Sequence, residues 1–321
     1  MNRFLKSRQL YMFVVLPVLL LALTIIGYFH LPAISMEEGG TRGYISLFHS
    51  LGTFTKILVG DGVILGIWCL LFLINERFKL LQQRSTLPLL LYFLLTSGLL
   101  FQFHFGDILL VVLLLAFALD RFQIAMSQIK RNSVLFDFGV SIMLAVLVLP
   151  KFFLLLLWAF LAMLFSGRSS LKDIVALLLG FLTPLFFLLF YYFWTDGWQQ
   201  WCEVFLQNLS IGEYVYSFSL LEWIRLVILL FVLLFALLHF FSRFAVLVLV
   251  HRQLFFALVS LLFFLGVTCL VFPFQDLSFV YIFALPLSLL YSQFILDQRS
   301  VWIGNVVFVL LFLTAILANI A

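Results

Sequence analysis

The chain has 321 residues, of which 65% are hydrophobic and only 10% are charged. Soluble globular domains carry about 25% charged residues, so one water-soluble core cannot bury this much apolar surface. The composition excludes an ordinary soluble protein and predicts an all-α integral membrane protein, with one membrane domain over residues 1–321. The formal charge of +4 comes from short basic clusters between apolar segments, so it predicts no nucleic-acid partner.

Apolar segments follow one another along the chain, and each is a candidate for a membrane-spanning helix in a polytopic transmembrane bundle. The first follows Arg3, Lys6 and Arg8 and is interpreted as a retained helix rather than a signal peptide. The eleven segments are 10–29, 61–75, 86–103, 107–119, 133–149, 152–166, 174–194, 224–242, 253–272, 278–296 and 301–320.

The basic residues alternate between the two sides of this bundle. With the amino terminus in the cytoplasm, all 18 Lys and Arg residues except Arg42, Lys56, Lys151 and Arg225 face the cytoplasm. Most acidic residues, Asp61 among them, then fall on the outer face. The pattern predicts an N-in, C-out protein of a bacterial inner (cytoplasmic) membrane.

Two pairs of segments, 86–119 and 133–166, leave the number of crossings open. Segment 107–119 would span about 20 Å, whereas the hydrocarbon core is about 30 Å thick. Either pair could be a re-entrant hairpin, which would reduce about 11 crossings to about 9 or 7 without changing the charge pattern.

The outer loops 30–60 and 195–223 are long and show helical periodicity. In the first, apolar residues recur from Tyr44 to Leu58, and in the second Trp198, Trp201 and Phe205 share one stripe. Both loops are predicted to contain amphipathic helices that lie in the outer interface.

The candidate catalytic residues are Glu37 and Glu38, which follow the first apolar segment and precede two glycines and Arg42. A carboxylate there could act as a general base toward an acceptor hydroxyl, or could hold a divalent cation on a phosphate. The alternative is a solvated acidic turn.

The candidate substrate-binding residues are Arg42, His104, Asp107, Lys151 and Arg225, all predicted at the outer face. Lys151 and Arg225 could neutralise a lipid phosphate. The alternatives are that these groups only mark helix ends, and that Arg225 pairs locally with Glu222.

A transport path is the other chemistry that the residues suggest, with Asp137 as its candidate because intramembrane charges are costly. Pairing of Asp137 with Lys130 or Arg131 is the alternative. The chain contains no Gly-rich nucleotide motif, HExxH or GxSxG, and its three Cys residues do not form CxxC. No metal site is predicted, and no cofactor is identified.

The stretch from Asp137-Phe138-Gly139 to Trp198 resembles a family of uncharacterised multi-pass inner-membrane proteins of Bacteroidota. It contains VLPKFFLLLLWAFLAMLF, then SGRSSLKD, then LLLGFLTPLFFLLFYYFWTDGW, and the tail ALPLSLLYSQFILDQRS also fits. This resemblance implies a location and a helix layout.

More distantly, the first half is similar to the membrane module of the GT-C glycosyltransferases. The likeness rests on a first helix, an acidic outer loop with interfacial helices, and paired short helices around an outer cavity. It implies that Glu37 and Glu38 match the acidic position after the first helix.

The first functional hypothesis is an envelope-biogenesis protein with a GT-C-like core that handles polyprenyl-phosphate-linked sugar at the outer face. If it is an enzyme, it would be a membrane glycosyltransferase with a lipid-phosphate-linked donor. The alternatives are a transporter or flippase, and a non-catalytic subunit of an envelope complex. The expected partners are membrane lipids, the lipid-linked sugar and other membrane proteins.

Overall fold

The computed structural model describes most of the chain, and every described segment is built around helix, with no β-strand in these ranges. The described residues are 12–30, 53–78, 85–101, 106–126, 132–167, 170–208, 220–243, 249–272, 279–298 and 301–320. The helices are α1 (Met12–His30), α2 (Thr53–Phe78), α3 (Leu87–Phe101), α4 (Ile108–Met126), α5 (Asn132–Val148), α6 (Leu154–Phe165), α7 (Leu171–Trp194), α8 (Trp198–Asn208), α9 (Leu220–Arg243), α10 (Leu249–Val271), α11 (Phe279–Asp297) and α12 (Val301–Ile320), with a 3₁₀ turn at Pro150–Phe153.

The described helices satisfy the backbone hydrogen-bonding requirement of a membrane-spanning segment. Lipid offers no hydrogen bonds, so a spanning segment must pair its N–H and C=O groups internally, and a helix does this. Six of the described helices are long and apolar enough to cross a membrane: Thr55–Glu76, Ile108–Met126, Leu171–Trp194, Leu220–Ser242, His251–Val271 and Phe279–Asp297. The predicted all-α fold is confirmed within the described residues, six of whose helices could span a membrane, while the number of crossings and the orientation stay predictions.

Each of the eleven predicted segments overlaps a helix, and five helices are longer than their segments, α2 and α4 by the most. The helix α4 continues through Asp120 and Arg121 to Met126, because the charges end the apolar run without ending the helix. It is therefore one of the six helices of spanning length, and the short length assigned to segment 107–119 was wrong.

The helix α2 begins at Thr53 rather than at residue 61. Residues 53–58, predicted as part of an interfacial helix, form the first turns of α2, and the rest of that predicted helix lies outside the described residues. With 26 residues α2 is about 39 Å long, so it extends beyond a hydrocarbon core of about 30 Å.

The helix predicted in the second outer loop is confirmed as α8. Its rings stack along one side, with centroids 5.1 Å apart for Trp198 and Trp201 and 5.6 Å apart for Trp201 and Phe205. The helix packs against α7 and the 3₁₀ turn, and its place in the membrane interface stays a prediction.

The centre of the bundle is formed by α4 and α11. Burial covers 67% of the spanning window of α4 and 78% of that of α11, but only 17% for α7 and for α9. The helix α11 packs against α3, α4, α9, α10 and α12. The helices α7 and α9 are therefore peripheral, and each exposes large apolar side chains such as Phe186 and Phe187 on α7 and Phe231 on α9.

Hydrogen bonds from side chains tie neighbouring helices together. The Trp158 indole of α6 donates to the Ala257 carbonyl of α10 at 3.0 Å. The Tyr291 hydroxyl of α11 donates to the Leu229 carbonyl of α9 at 2.7 Å. Such bonds fix the rotation of each helix about its axis, because the donor must face its partner.

The helices α5 and α7 cross closely at two glycines that face each other. A Cβ atom on Gly180 would lie 2.5 Å from the Phe136 oxygen and 3.0 Å from the Gly139 Cα. A Cβ atom on Gly139 would lie 2.7 Å from the Leu177 oxygen. Small residues let two membrane helices approach backbone to backbone, and this crossing depends on them.

We expect Gly180→Ala to lower the free energy of unfolding by about 1–3 kcal/mol, because the added methyl group meets backbone that must move. The matched control is Gly266→Ala on α10, where a Cβ atom would meet nothing within 4 Å. The control should be neutral or stabilising, since Ala favours helix over Gly. Thermal unfolding of both variants in detergent tests this, and equal stability would contradict the close crossing.

Candidate functional site

Three polar residues recur along the buried face of α2. Asp61, Trp68 and Asn75 are separated by two intervals of seven residues, which is close to two helical turns, so they lie on one face. Their exposed fractions are 7%, 4% and 3%. We call this line of residues the α2 seam.

The exposed residues of α2 lie along one edge of the seam. Leu58, Leu65 and Cys69 are exposed on that edge, while Ile64 and Leu71 are buried on the other edge. Polar residues of a membrane helix that turn toward the protein interior are retained at a cost in stability and are often functional. The seam follows this pattern.

Each seam residue has a buried polar atom without a hydrogen-bond partner among the described residues. These atoms are Asp61 Oδ1, Trp68 Nε1 and Asn75 Oδ1. Asp61 Oδ2 has one neighbour, the Thr24 hydroxyl of α1 at 3.4 Å. That hydroxyl also lies 3.1 Å from the Leu20 and Leu21 carbonyls of its own helix, so its interaction with Asp61 is weak.

Two tyrosines from other helices face the same region. Tyr92 of α3 and Tyr281 of α11 are fully buried, and neither hydroxyl has a hydrogen-bond partner within the described ranges. Tyr281 lies within electrostatic range of both Asp61 and Tyr92. Asp61, Thr24, Tyr92 and Tyr281 therefore form a polar cluster, here called the Asp61 cluster, to which four helices contribute.

A proline interrupts the hydrogen bonding of α11. Pro286 lies inside α11 and has no N–H, so the Ile282 carbonyl one turn earlier loses its usual helical donor. The Asp61 cluster itself contains a carboxylate and hydroxyls, which can hydrogen-bond to a proton carrier or coordinate a cation.

The helix α4 packs against α2 and carries a further unpaired polar group. A methyl group on Gly66 of α2 would lie 3.1 Å from the Leu113 side chain of α4. Gln123 of α4 is buried, and its Oε1 atom has no partner among the described residues.

Asn75 also closes the connection between α2 and α3. Its amide donates to the Ser85 carbonyl at 2.6 Å, and the Ser85 hydroxyl accepts from the Leu87 N–H at the start of α3. The seam therefore runs from the Asp61 cluster to the polar contact between Asn75 and Ser85 at the far end of α2.

Burial of the unpaired polar groups of the seam lowers the stability of the folded protein. An unpaired polar group buried in protein costs about 1–3 kcal/mol. Leu or Phe at the same positions would fill the same space without that cost. The arrangement therefore favours a functional role in which these groups bind something polar.

Of the residues predicted as a site from the sequence, Glu37, Glu38, Arg42 and His104 lie outside the described residues. Asp107 forms the turn before α4, where its carbonyl accepts from the Leu110 and Val111 N–H groups. Their predicted roles stay predictions.

Lys151 and Arg225 lie in different parts of the bundle and contact different helices. Lys151 is buried in the 3₁₀ turn after α5, within electrostatic range of Cys269 on α10. Arg225 of α9 donates to the Leu95 carbonyl of α3 at 2.7 Å and lies within electrostatic range of Glu222. Arg225 thus joins two helices, and this interaction is a structural alternative to a phosphate contact.

Asp61 was not among the predicted site residues, because it begins the apolar segment 61–75 and was predicted on the outer face. The helix begins two turns earlier, so Asp61 lies about 12 Å along α2 from Thr53. The seven-residue spacing of Asp61, Trp68 and Asn75 is the signal that could have found the seam. Within the described ranges no group of three or more His, Cys, Asp or Glu residues could hold a metal ion.

Two tyrosines of α11 provide a matched test of the unpaired hydroxyls. Tyr291→Phe should lower the free energy of unfolding by about 1 kcal/mol, because it removes the hydrogen bond to Leu229. Tyr281→Phe should leave it unchanged or raise it by about 1 kcal/mol, since its hydroxyl has no partner among the described residues. Thermal unfolding measures both, and an equal loss in the two variants would show that Tyr281 is paired.

Comparison with protein-family models, curated proteins and solved structures finds no match to this chain. The resemblances to the Bacteroidota membrane-protein family and to the GT-C module stay predictions.

Proposed function

We propose that this protein is a proton-translocating transporter of the inner membrane, with the α2 seam as its path and Asp61 as the residue that takes up the proton. The observation that supports this most directly is the burial of Asp61 inside a candidate span, with no cationic partner among the described residues. A buried carboxylate in that position must bind a proton or a cation, because an isolated charge in a low-dielectric region is very costly.

The spacing of the seam favours a proton over a metal cation. Seven residues correspond to about 10.5 Å along a helix, so the seam groups are spread in a line rather than gathered around one point. A dehydrated cation needs several oxygen ligands at once, whereas a proton moves in short steps between hydrogen-bonding groups. Asp61 supplies the titratable group, and the neutral groups of Trp68, Asn75, Tyr92 and Tyr281 can orient water between the steps.

The proposal keeps the transporter hypothesis and moves its path from α5 to α2. Asp137 was the predicted path residue, but it lies on α5 with a partly exposed side chain. The glycosyltransferase hypothesis and the envelope-complex hypothesis stay predictions, since the acidic residues of the former lie outside the described residues.

The test is proton flux in liposomes that contain the purified protein and a pH-sensitive dye. A potassium gradient with valinomycin makes the interior negative. Wild-type protein should acidify the interior faster than protein-free liposomes do. Asp61→Asn should reduce the rate to that of protein-free liposomes, because it keeps the side-chain size and removes the titratable group.

The control is Asp173→Asn in the first turn of α7, away from the seam, which should match the wild type. Equal rates for wild-type and protein-free liposomes would contradict the proposal, as would a wild-type rate in Asp61→Asn. Flux of Na⁺ instead of protons through the wild type would show that the seam carries a metal cation.

A further inference from the structure

The helix α1 meets the Asp61 cluster through one buried face. Leu16, Leu20 and Thr24 follow one another at intervals of four residues, so they share this face, and all three are buried. The two leucines are apolar, whereas Thr24 brings a hydroxyl beside the Asp61 carboxylate. The helix packs against α2 and α3. The Thr24 hydroxyl therefore connects α1 to the residue that is proposed to take up the proton.

The Thr24 hydroxyl lies between two kinds of acceptor. Its oxygen is 3.4 Å from Asp61 Oδ2 and 3.1 Å from each of the Leu20 and Leu21 carbonyls of its own helix. A hydroxyl has one proton to donate and can also accept hydrogen bonds. These distances allow two arrangements, which differ in whether Thr24 donates to Asp61 or to the backbone of α1.

The charge of Asp61 decides between the two arrangements. A charged carboxylate can only accept hydrogen bonds, so Thr24 then donates to Asp61. A protonated Asp61 can instead donate its own O–H to the Thr24 oxygen, and the Thr24 proton then turns to the Leu20 carbonyl. The hydrogen bond between the two side chains thus reverses its direction each time Asp61 gains or loses the proton.

The tyrosines of the Asp61 cluster do not replace Thr24 in this role. Tyr281 of α11 lies within electrostatic range of Asp61 and of Tyr92, but neither phenol donates a hydrogen bond to a described residue. Asp61 Oδ1 has no partner within the described ranges either. Thr24 therefore supplies the side-chain hydrogen bond that Asp61 has in this part of the structure.

The charged residues on the neighbouring helices do not replace it either. The helices α1 and α3 contain no Lys, Arg, Asp or Glu. Lys56 of α2 precedes Asp61 by five residues, which places it about 140° around the helix. On α4, Arg121 Nε lies 3.8 Å from the Asp120 carboxylate, and Asp107 forms the turn before the helix.

We infer that Thr24 is the positioning residue for proton uptake, because its hydroxyl donates to charged Asp61 and turns to the backbone of α1 when Asp61 is protonated. This inference rests on the proposed function of Asp61. A hydrogen bond to a charged acceptor is stronger than one between neutral groups. Thr24 therefore stabilises the charged form more than the protonated form, and it favours release of the proton from the seam.

The experiment is an infrared titration of the full-length protein in lipid. It measures the pH at which the carbonyl band of the buried protonated carboxyl group is half developed, and the band of Asp61 is identified by its loss in Asp61→Asn. Thr24→Val keeps the side-chain size and removes the hydroxyl. It should raise this pH by about 0.5–1 unit, or about three- to tenfold in proton affinity, because charged Asp61 loses a donor. Thr24→Ser keeps the hydroxyl and should titrate as the wild type does.

The matched control is Thr268→Val on α10. Thr268 is also buried, but its hydroxyl donates at 2.8 Å to the Phe264 carbonyl of its own helix. This variant should titrate as the wild type does. An equal shift in Thr268→Val, or the same shift in Thr24→Ser as in Thr24→Val, would overturn the inference, because the effect would then come from packing. Thr24→Ala removes the same hydroxyl and provides a second variant if Thr24→Val does not fold.

The titration measures proton binding, whereas the liposome assay measures transport, so the two proposals fail separately. Proton flux in the wild type together with an unshifted titration in folded Thr24→Val would overturn the role of Thr24 alone. A shifted titration in Thr24→Val without proton flux in the wild type would support the role of Thr24 and overturn transport. The absence of an Asp61 band in the wild type would overturn both.

Discussion

Burial of polar groups away from lipid is the constraint on which this structure depends. In water a carboxylate lowers its free energy on the surface, whereas in a bilayer the same group must turn toward protein, water or an ion. The helix α2 satisfies this constraint along its whole length. The seam from Asp61 to Asn75 is buried, while Leu58 and Leu65 along its edge are exposed. A path across the membrane needs polar groups that are kept inside the protein in this way.

The surrounding helices hold the seam in a fixed setting. The most buried helices, α4 and α11, lie where their polar residues can face α2, and each contributes a group without a partner among the described residues, Gln123 and Tyr281. The outer helix α7 contacts α5 backbone to backbone at Gly139 and Gly180, and the outer helix α9 is joined to its neighbours by the hydrogen bonds of Arg225 and Tyr291. The unpaired groups therefore lie in the best-packed part of the bundle, where side chains have little freedom to find new partners.

The sequence was sufficient to predict the helical fold and the approximate place of each apolar segment. Long apolar runs in lipid have helix as their simplest solution, so the segments and helices overlap. The ends of α2 and α4 could not be predicted in this way, because charged residues such as Asp61 and Asp120 interrupt hydropathy without interrupting the helix. Hydropathy predicts which residues are compatible with the hydrocarbon core, whereas helix ends depend on backbone geometry and capping.

The Asp61 cluster could not be predicted from a single sequence for a different reason. Tyr92 and Tyr281 belong to helices that are far apart in the chain, and their meeting depends on the packing of α3 against α11. A tyrosine in an apolar run is equally compatible with an interface position, a lipid-facing position or a buried one. The seven-residue spacing on α2 was visible in the sequence, but its inward direction became evident only with neighbouring helices in place.

Proton uptake by Asp61 inside the bundle can be measured by infrared difference spectroscopy of the protein in lipid as the pH is changed. A protonated carboxyl group that is buried away from water absorbs at a higher carbonyl frequency than the solvated carboxyl groups of the other acidic residues. We expect a high-frequency band that changes with pH in the wild type and in Asp173→Asn and is missing from Asp61→Asn. The same high-frequency band in Asp61→Asn, or none in the wild type at any pH, would show that Asp61 does not take up the proton.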